Sequence, residues 1–141
     1  MNIHTLLSDF AREIGLSSLR LDSGHCCAVS FGGDVQVDLR WREDAEVLCL
    51  ATEVVPLAGL DRDAVVLMLL RANLDTRALG EASFALKREG ECIALCRTLD
   101  IDALTAQRLA GEVAALVTQC RDWRESLAQR IEVVGSVFSQ E

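Results

Sequence analysis

Residues Leu60 to Leu74, LDRDAVVLMLLRANL, limit the possible folds of this chain more than any other stretch. Leu60 and Asp61 read as a hydrophobic-staple residue and an N-cap, with Val65 spaced to meet Leu60 and Asp63 adding negative charge to the first turn. A helix therefore starts at Asp61. At about 100° per residue, Ala64, Val65, Val66, Leu67, Met68, Leu69, Leu70, Ala72 and Leu74 point in almost every direction. Only Arg62, Asp63, Arg71 and Asn73 are left for water. The run is too short for a bilayer and carries Arg71, so protein must cover it on more than one side. One cover is the chain's own sheet; the other can be a second copy of the chain.

The flanking segments supply that sheet. Ile3, Leu6, Leu7, Phe10, Ala11 and Ile14 recur at helical spacing, with Gly15 placed as a stop. A strand is expected over Cys26 to Phe31, then a Gly32-Gly33 hairpin tip. Asp34 to Trp41 alternates cleanly, with Val35, Val37, Leu39 and Trp41 on one face and Asp34, Gln36, Asp38 and Arg40 on the other. A third strand spans Glu46 to Val55 and is closed off by Pro56. Beyond the central helix, Thr76 to Glu81 reads as a link. Ala82–Lys87 and Cys92–Leu99 form a second hairpin around Arg88-Glu89-Gly90-Glu91, its last apolar face interrupted by Arg97. A long helix runs from Asp102 to about Arg130, with Leu109, Val113, Leu116, Cys120, Trp123 and Leu127 in one narrow stripe. Gly111 interrupts it, marking either a close approach or a weak point. The predicted fold is α+β, a two-layer α/β sandwich of order α-β-β-β-α-β-β-α with a mainly antiparallel sheet. Residues 1–134 make a single domain and 135–141 a flexible tail.

Composition narrows the function. Fourteen basic against twenty-two acidic side chains give a net charge of −8, which argues against a nucleic-acid partner. With neither a leader pattern nor an apolar run long enough to span a bilayer, the expectation is a cytoplasmic protein without membrane insertion. Six cysteines in a chain that is 50% hydrophobic read as free, mostly buried thiols. Cys26 and Cys27 should face opposite ways. Cys92 and Cys96 share a face about 13 Å apart, too far for one tetrahedral metal. His4 and His25 stand alone, and no HExxH, GxSxG, GxGxxG or P-loop pattern occurs. Pairs such as Asp34 with Asp38, or Glu43 with Asp44, fit a wet strand face and a polar turn. The chain is expected to bind rather than react, with no cofactor, no metal and no catalytic residue.

The chain's size and acidity, this element order, LLRANLDTRALG at Leu69 to Gly80 and LxxxVxxLVxxCxxW from Leu109 to Trp123 together resemble the type III secretion chaperones of the Tir-chaperone-like class I family. The resemblance implies a homodimeric chaperone that uses no ATP and keeps the amino-terminal segment of a secreted effector extended and soluble. It also implies contact with the secretion-apparatus ATPase. Mapped onto this sequence, it puts the dimer interface at Val65, Val66, Leu67, Leu69, Leu70, Leu74, Phe84 and Leu86. Cargo would meet Leu6, Leu7, Phe10, Ile14, Val35, Val37 and Leu39. The alternative is a regulatory module that sequesters a chaperone, an anti-activator or a transcriptional regulator.

Overall fold

Local capping chemistry starts and stops the elements as the sequence demands. Asn2 opens α1 (Ile3–Glu13), its side-chain oxygen accepting from the His4 N–H at 2.7 Å. Gly15 follows the helix end in the left-handed region, at φ +82°. The computed structural model describes the backbone of residues 2–87 and 91–139, and the side chains of residues 2–87 and 91–130. Three strands follow α1: β1 (Cys26–Phe31), β2 (Val35–Arg42) and β3 (Val47–Pro56). Next come α2 (Arg62–Ala72), α3 (Thr76–Leu79), β4 (Ser83–Leu86), β5 (Cys92–Asp100), a 3-10 turn (Ile101–Ala103) and α4 (Ala106–Ser139). The α+β order predicted from the sequence is the one found.

The five strands form one antiparallel sheet in the order β1-β2-β3-β5-β4. Gly32 and Gly33 lie in the first hairpin tip with φ of +61° and +76°, but Phe31 pairs with Val35, so the loop holds three residues, Gly32 to Asp34, and not the two expected. Register then sorts the side chains. One row, Val29–Val37–Thr52–Leu95–Phe84, crosses all five strands on the face covered by α1 and α4. The neighbouring row, Ala28–Asp38–Ala51–Cys96–Ser83, lies on the opposite face.

The core fills the space between the helices and the inner face. Leu6, Leu7 and Phe10 from α1 and Leu109, Val113, Leu116, Cys120 and Leu127 from α4 are buried, with Leu39, Leu48, Leu50 and Leu95 beneath them. Each such side chain contributes roughly 1.5–3 kcal/mol by leaving water. Phe84 and Trp123 join β4 to α4 edge to face, ring centres 5.0 Å apart. Thr52 is the one buried polar side chain among the described residues, and its hydroxyl donates to the Gln36 carbonyl at 2.9 Å.

Four expectations are adjusted. The Thr76–Glu81 link contains a helical turn, because the Asp75 carboxylate accepts from the N–H groups of Arg77 and Ala78; one turn is too short to show a period. The long helix begins at Ala106, not Asp102, because Asp100 caps the 3-10 turn first and Thr105 then takes the Arg108 N–H. The thiols are all free, yet only Cys92 and Cys120 are buried, since alternation turns Cys26, Cys49 and Cys96 outward. Gly111 has open space where a Cβ would sit, so no close approach explains it. The Arg88-Glu89-Gly90 part of the second turn and residues 140–141 lie outside the described residues. The expected boundary after residue 134 falls within the last turns of α4.

Candidate functional site

The site is built from what the single subunit leaves uncovered. Asp61 caps α2 by accepting from the Ala64 N–H at 3.3 Å, and Val65 and Leu69 enter the core at 6% and 1% exposure. The other side of the helix stays in water. Leu67, Leu70 and Leu74, at i, i+3 and i+7, are 53%, 56% and 86% exposed. With Leu86 at the end of β4, they are four of the five exposed large apolar side chains among the described residues; the fifth is Leu16. An exposed apolar stripe of this kind on a folded subunit marks an interaction surface.

Asn73 fixes the end of that helix to the sheet. Its Oδ1 accepts from the Phe84 N–H at 2.7 Å and its Nδ2 donates to the Phe84 carbonyl at 3.2 Å. Of the eight residues expected at a subunit interface, Leu67, Leu70, Leu74 and Leu86 are therefore outward. Val65, Leu69 and Phe84 are buried in the subunit's own core, and Val66 is half-buried.

The second surface is the outer face of the sheet. Alternation exposes a floor of small side chains there: Cys26, Ala28, Cys49, Ala51 and Cys96. This face is concave. Lys87 pairs with Glu53 of β3 at 2.9 Å and stands 3.8 Å from Asp38 of β2, although in a flat sheet three strand spacings of about 4.8 Å separate β4 from β2. A bulge between Glu53 and Val55 concentrates the bend. The resulting groove encloses about 690 Å³, with Asp22, Asp38, Arg40, Arg42 and Lys87 around its floor. Glu53 holds the Lys87 ammonium above its ordinary pKa. Burial pushes the Cys96 thiol up and drives that of Cys27 to about 11, so neither is a ready thiolate.

From behind, α4 holds the bend. Arg124 donates to the carbonyls of Asp34, Glu53 and Val54 at 2.6, 2.6 and 3.2 Å. Arg121 makes two bonds to the Asp34 carboxylate, at 2.8 and 3.0 Å, which lowers that carboxyl's pKa. Arg97, which breaks the apolar face of β5, is neutralised by Glu81 at 2.6 Å and Glu112 at 3.3 Å.

Edges complete the inventory. On β1, the Cys26 N–H and carbonyl are both taken by Asp22, at 3.0 and 2.8 Å. Among the described residues nothing pairs with the outward backbone groups of Ala28 and Ser30. The expected cargo contacts lie elsewhere: Leu6, Leu7, Phe10, Val35, Val37 and Leu39 are each at most 1% exposed, and only Ile14 is half-buried. Their apolar faces are consumed by packing α1 and α4 on the sheet, so this set offers a partner almost no surface. Sequence reasoning missed Asn73 and the outer floor. The floor had a signal, since Ala28, Cys49, Ala51 and Cys96 stand where a wet face normally carries long polar side chains.

Chemistry for a reaction is sparse. No group of three or more His, Cys, Asp or Glu suited to a metal occurs among the described residues, and no helix there is long and apolar enough to cross a membrane.

Comparison with known proteins bears on the family and the fold. Residues 5–124 match the model of the Tir chaperone protein (CesT) family. No curated protein matches. A chain of the ExsC–ExsE complex shares 24% identity, with TM-score 0.78 over 87% of this chain and 91% of the other. A chain of the HopA1–SchA chaperone–effector complex shares 22%, TM-score 0.72, over 86% and 91%. The Yersinia pestis type III secretion chaperone SycH, solved with a fragment of YscM2, gives 23%, TM-score 0.68, over 86% and 99%. The likeness to these structures is one of fold. The family match covers most of the chain, and this protein belongs to the Tir chaperone protein (CesT) family, whose members act by binding rather than catalysis.

Proposed function

We propose that this chain is a cytoplasmic, ATP-independent type III secretion chaperone. It acts as a homodimer and holds the amino-terminal segment of a secreted effector extended until the secretion-apparatus ATPase takes it over. The observation that carries the reading is the concave outer face of small side chains ending at the unpaired edge of β1. An extended segment can pair with Ala28 and Ser30 and lay its side chains on a floor that presents little to obstruct them. Arg40, Arg42 and Lys87 alternate there with Asp22 and Asp38, which suits a cargo stretch of mixed charge. Disordered cargo meets its ordering cost on binding, so a large contact area is required, and two subunits supply twice the surface.

The leucines of α2 support the dimer. They cannot reach their own core, because Val65 and Leu69 on the opposite side of the helix already do so. A second copy presents the same stripe, which makes the contact self-complementary about a two-fold axis.

The test is co-purification from native cytosol, followed by mass spectrometry and truncation of whatever is bound. A secreted polypeptide held through its amino-terminal region is the expected result. Recovery of regulatory factors alone, with no secreted protein, overturns the effector reading in favour of a regulatory module. Light scattering tests the assembly separately, and a monomer at micromolar concentration removes the dimer.

A further inference from the structure

We propose that Asn73 determines how copies of this chain assemble: it closes the free edge of β4 at Phe84, so that subunits meet through the leucine face of α2 and not by joining their sheets strand to strand. An edge strand is a template for another strand, and natural edges carry a guard such as proline, lysine or a covering element. The strand β4, Ser-Phe-Ala-Leu, has no proline and no charge, and Leu86 at its end is half exposed. Its register shows which groups are at risk. The Lys87 N–H donates inward to the Cys92 carbonyl at 2.8 Å, so by alternation the backbone groups of Leu86, at the end of the strand, and the N–H and carbonyl of Phe84, within it, point away from β5 to the open side.

Both of those groups are occupied by one side chain. The Asn73 amide presents an acceptor and a donor in the geometry of a peptide group, meeting the Phe84 N–H at 2.7 Å and the Phe84 carbonyl at 3.2 Å. The Leu79 carbonyl takes the Ala82 N–H at 3.1 Å, closing the start of the strand. In effect Asn73 is a one-residue sixth strand. No other side chain of that length sets a donor and an acceptor side by side on one carbon, as a peptide group does: aspartate at neutral pH keeps the contact to the N–H and sets a negative oxygen against the Phe84 carbonyl, and leucine makes neither bond. Without this lock, the partner that fits β4 is β4 of a second copy, drawn in by Leu86 at the end of the strand.

The inference rests on the α2 dimer but not on the cargo. The experiment measures mass by light scattering across a hundredfold concentration range, together with hydrogen exchange at the Phe84 amide, for wild type, Asn73→Ala and Asn73→Asp. Wild type should hold one mass, with a protected Phe84 amide. Asn73→Ala should grow past the dimer as concentration rises and, when dilute, lose about tenfold in protection, the worth of one net hydrogen bond; Asn73→Asp should fall between them. A constant mass with Phe84 protected as in wild type in Asn73→Ala overturns the proposal. If Asn73→Ala does not fold, wild type decides alone: a Phe84 amide exchanging as freely as an unpaired edge amide overturns it. Repeating the series with Leu70→Asp separates the two readings. A chain still dimeric with that change refutes the α2 interface, while added association on changing Asn73 in the same chain still supports the lock.

Discussion

Two helices of this molecule, α2 and α4, are both rich in apolar residues and end in opposite situations. In α4, Leu109, Val113, Leu116, Cys120 and Leu127 form one stripe and every one is buried. In α2 the apolar residues go all the way round; Val65 and Leu69 are buried while Leu67, Leu70 and Leu74 are in water. The same residue types therefore do different work. A stripe matched to one surface folds the subunit, and the apolar excess beyond that stripe is available for assembly.

Four measurements break or sharpen that contrast. Leu109→Ala in α4 should cost about 2–5 kcal/mol of folding stability by leaving a cavity, read as a lowered denaturant midpoint. Leu70→Asp in α2 should leave the subunit folded by circular dichroism and make it monomeric by light scattering, since burying a leucine is worth about 1.5–3 kcal/mol and a charge there adds a further penalty. A dimeric Leu70→Asp, or a Leu109→Ala as stable as wild type, would erase the distinction. Gly111→Ala should raise stability by about 0.5–1 kcal/mol, because the position is helical and a methyl group meets open space. The smallest effect concerns the polar side of α4. Arg121 lowers the Asp34 pKa below 3.8, so the stability it contributes is present above that value and is lost as pH falls through the lower folded value. Thermal melts of wild type and Asp34→Asn should differ near neutral pH and converge in acid.

Much of the fold was legible in the sequence because its devices are local. Asp61 at a helix start, Gly32-Gly33 between alternating strands and the three-four stripe of α4 each act within a few residues. The leucines of α2 were legible too, as an excess that one core could not absorb. The burial of the expected cargo residues was not. An amphipathic α1 and an alternating β2 look the same whether their apolar faces meet a partner or each other, and here Leu6, Phe10, Val37 and Leu39 go into the subunit's own core. Asn73 was visible as a polar residue at a helix end, but its partner Phe84 lies 11 residues on and is set by β4 register. The concavity of the outer face brings Lys87 to Glu53, 34 residues away, which no local pattern encodes.

The hold of Arg124 on the carbonyls of Asp34, Glu53 and Val54 spans 90, 71 and 70 positions of sequence. Loops of that length close late, and a chain made from its amino end cannot close them until nearly all of it has been synthesised. The sheet strands are thus complete while the support for their bend is still missing, and the groove takes its final curvature only when the last helix docks. A chain truncated before Arg124 should therefore retain its hairpins yet lack the shaped outer surface.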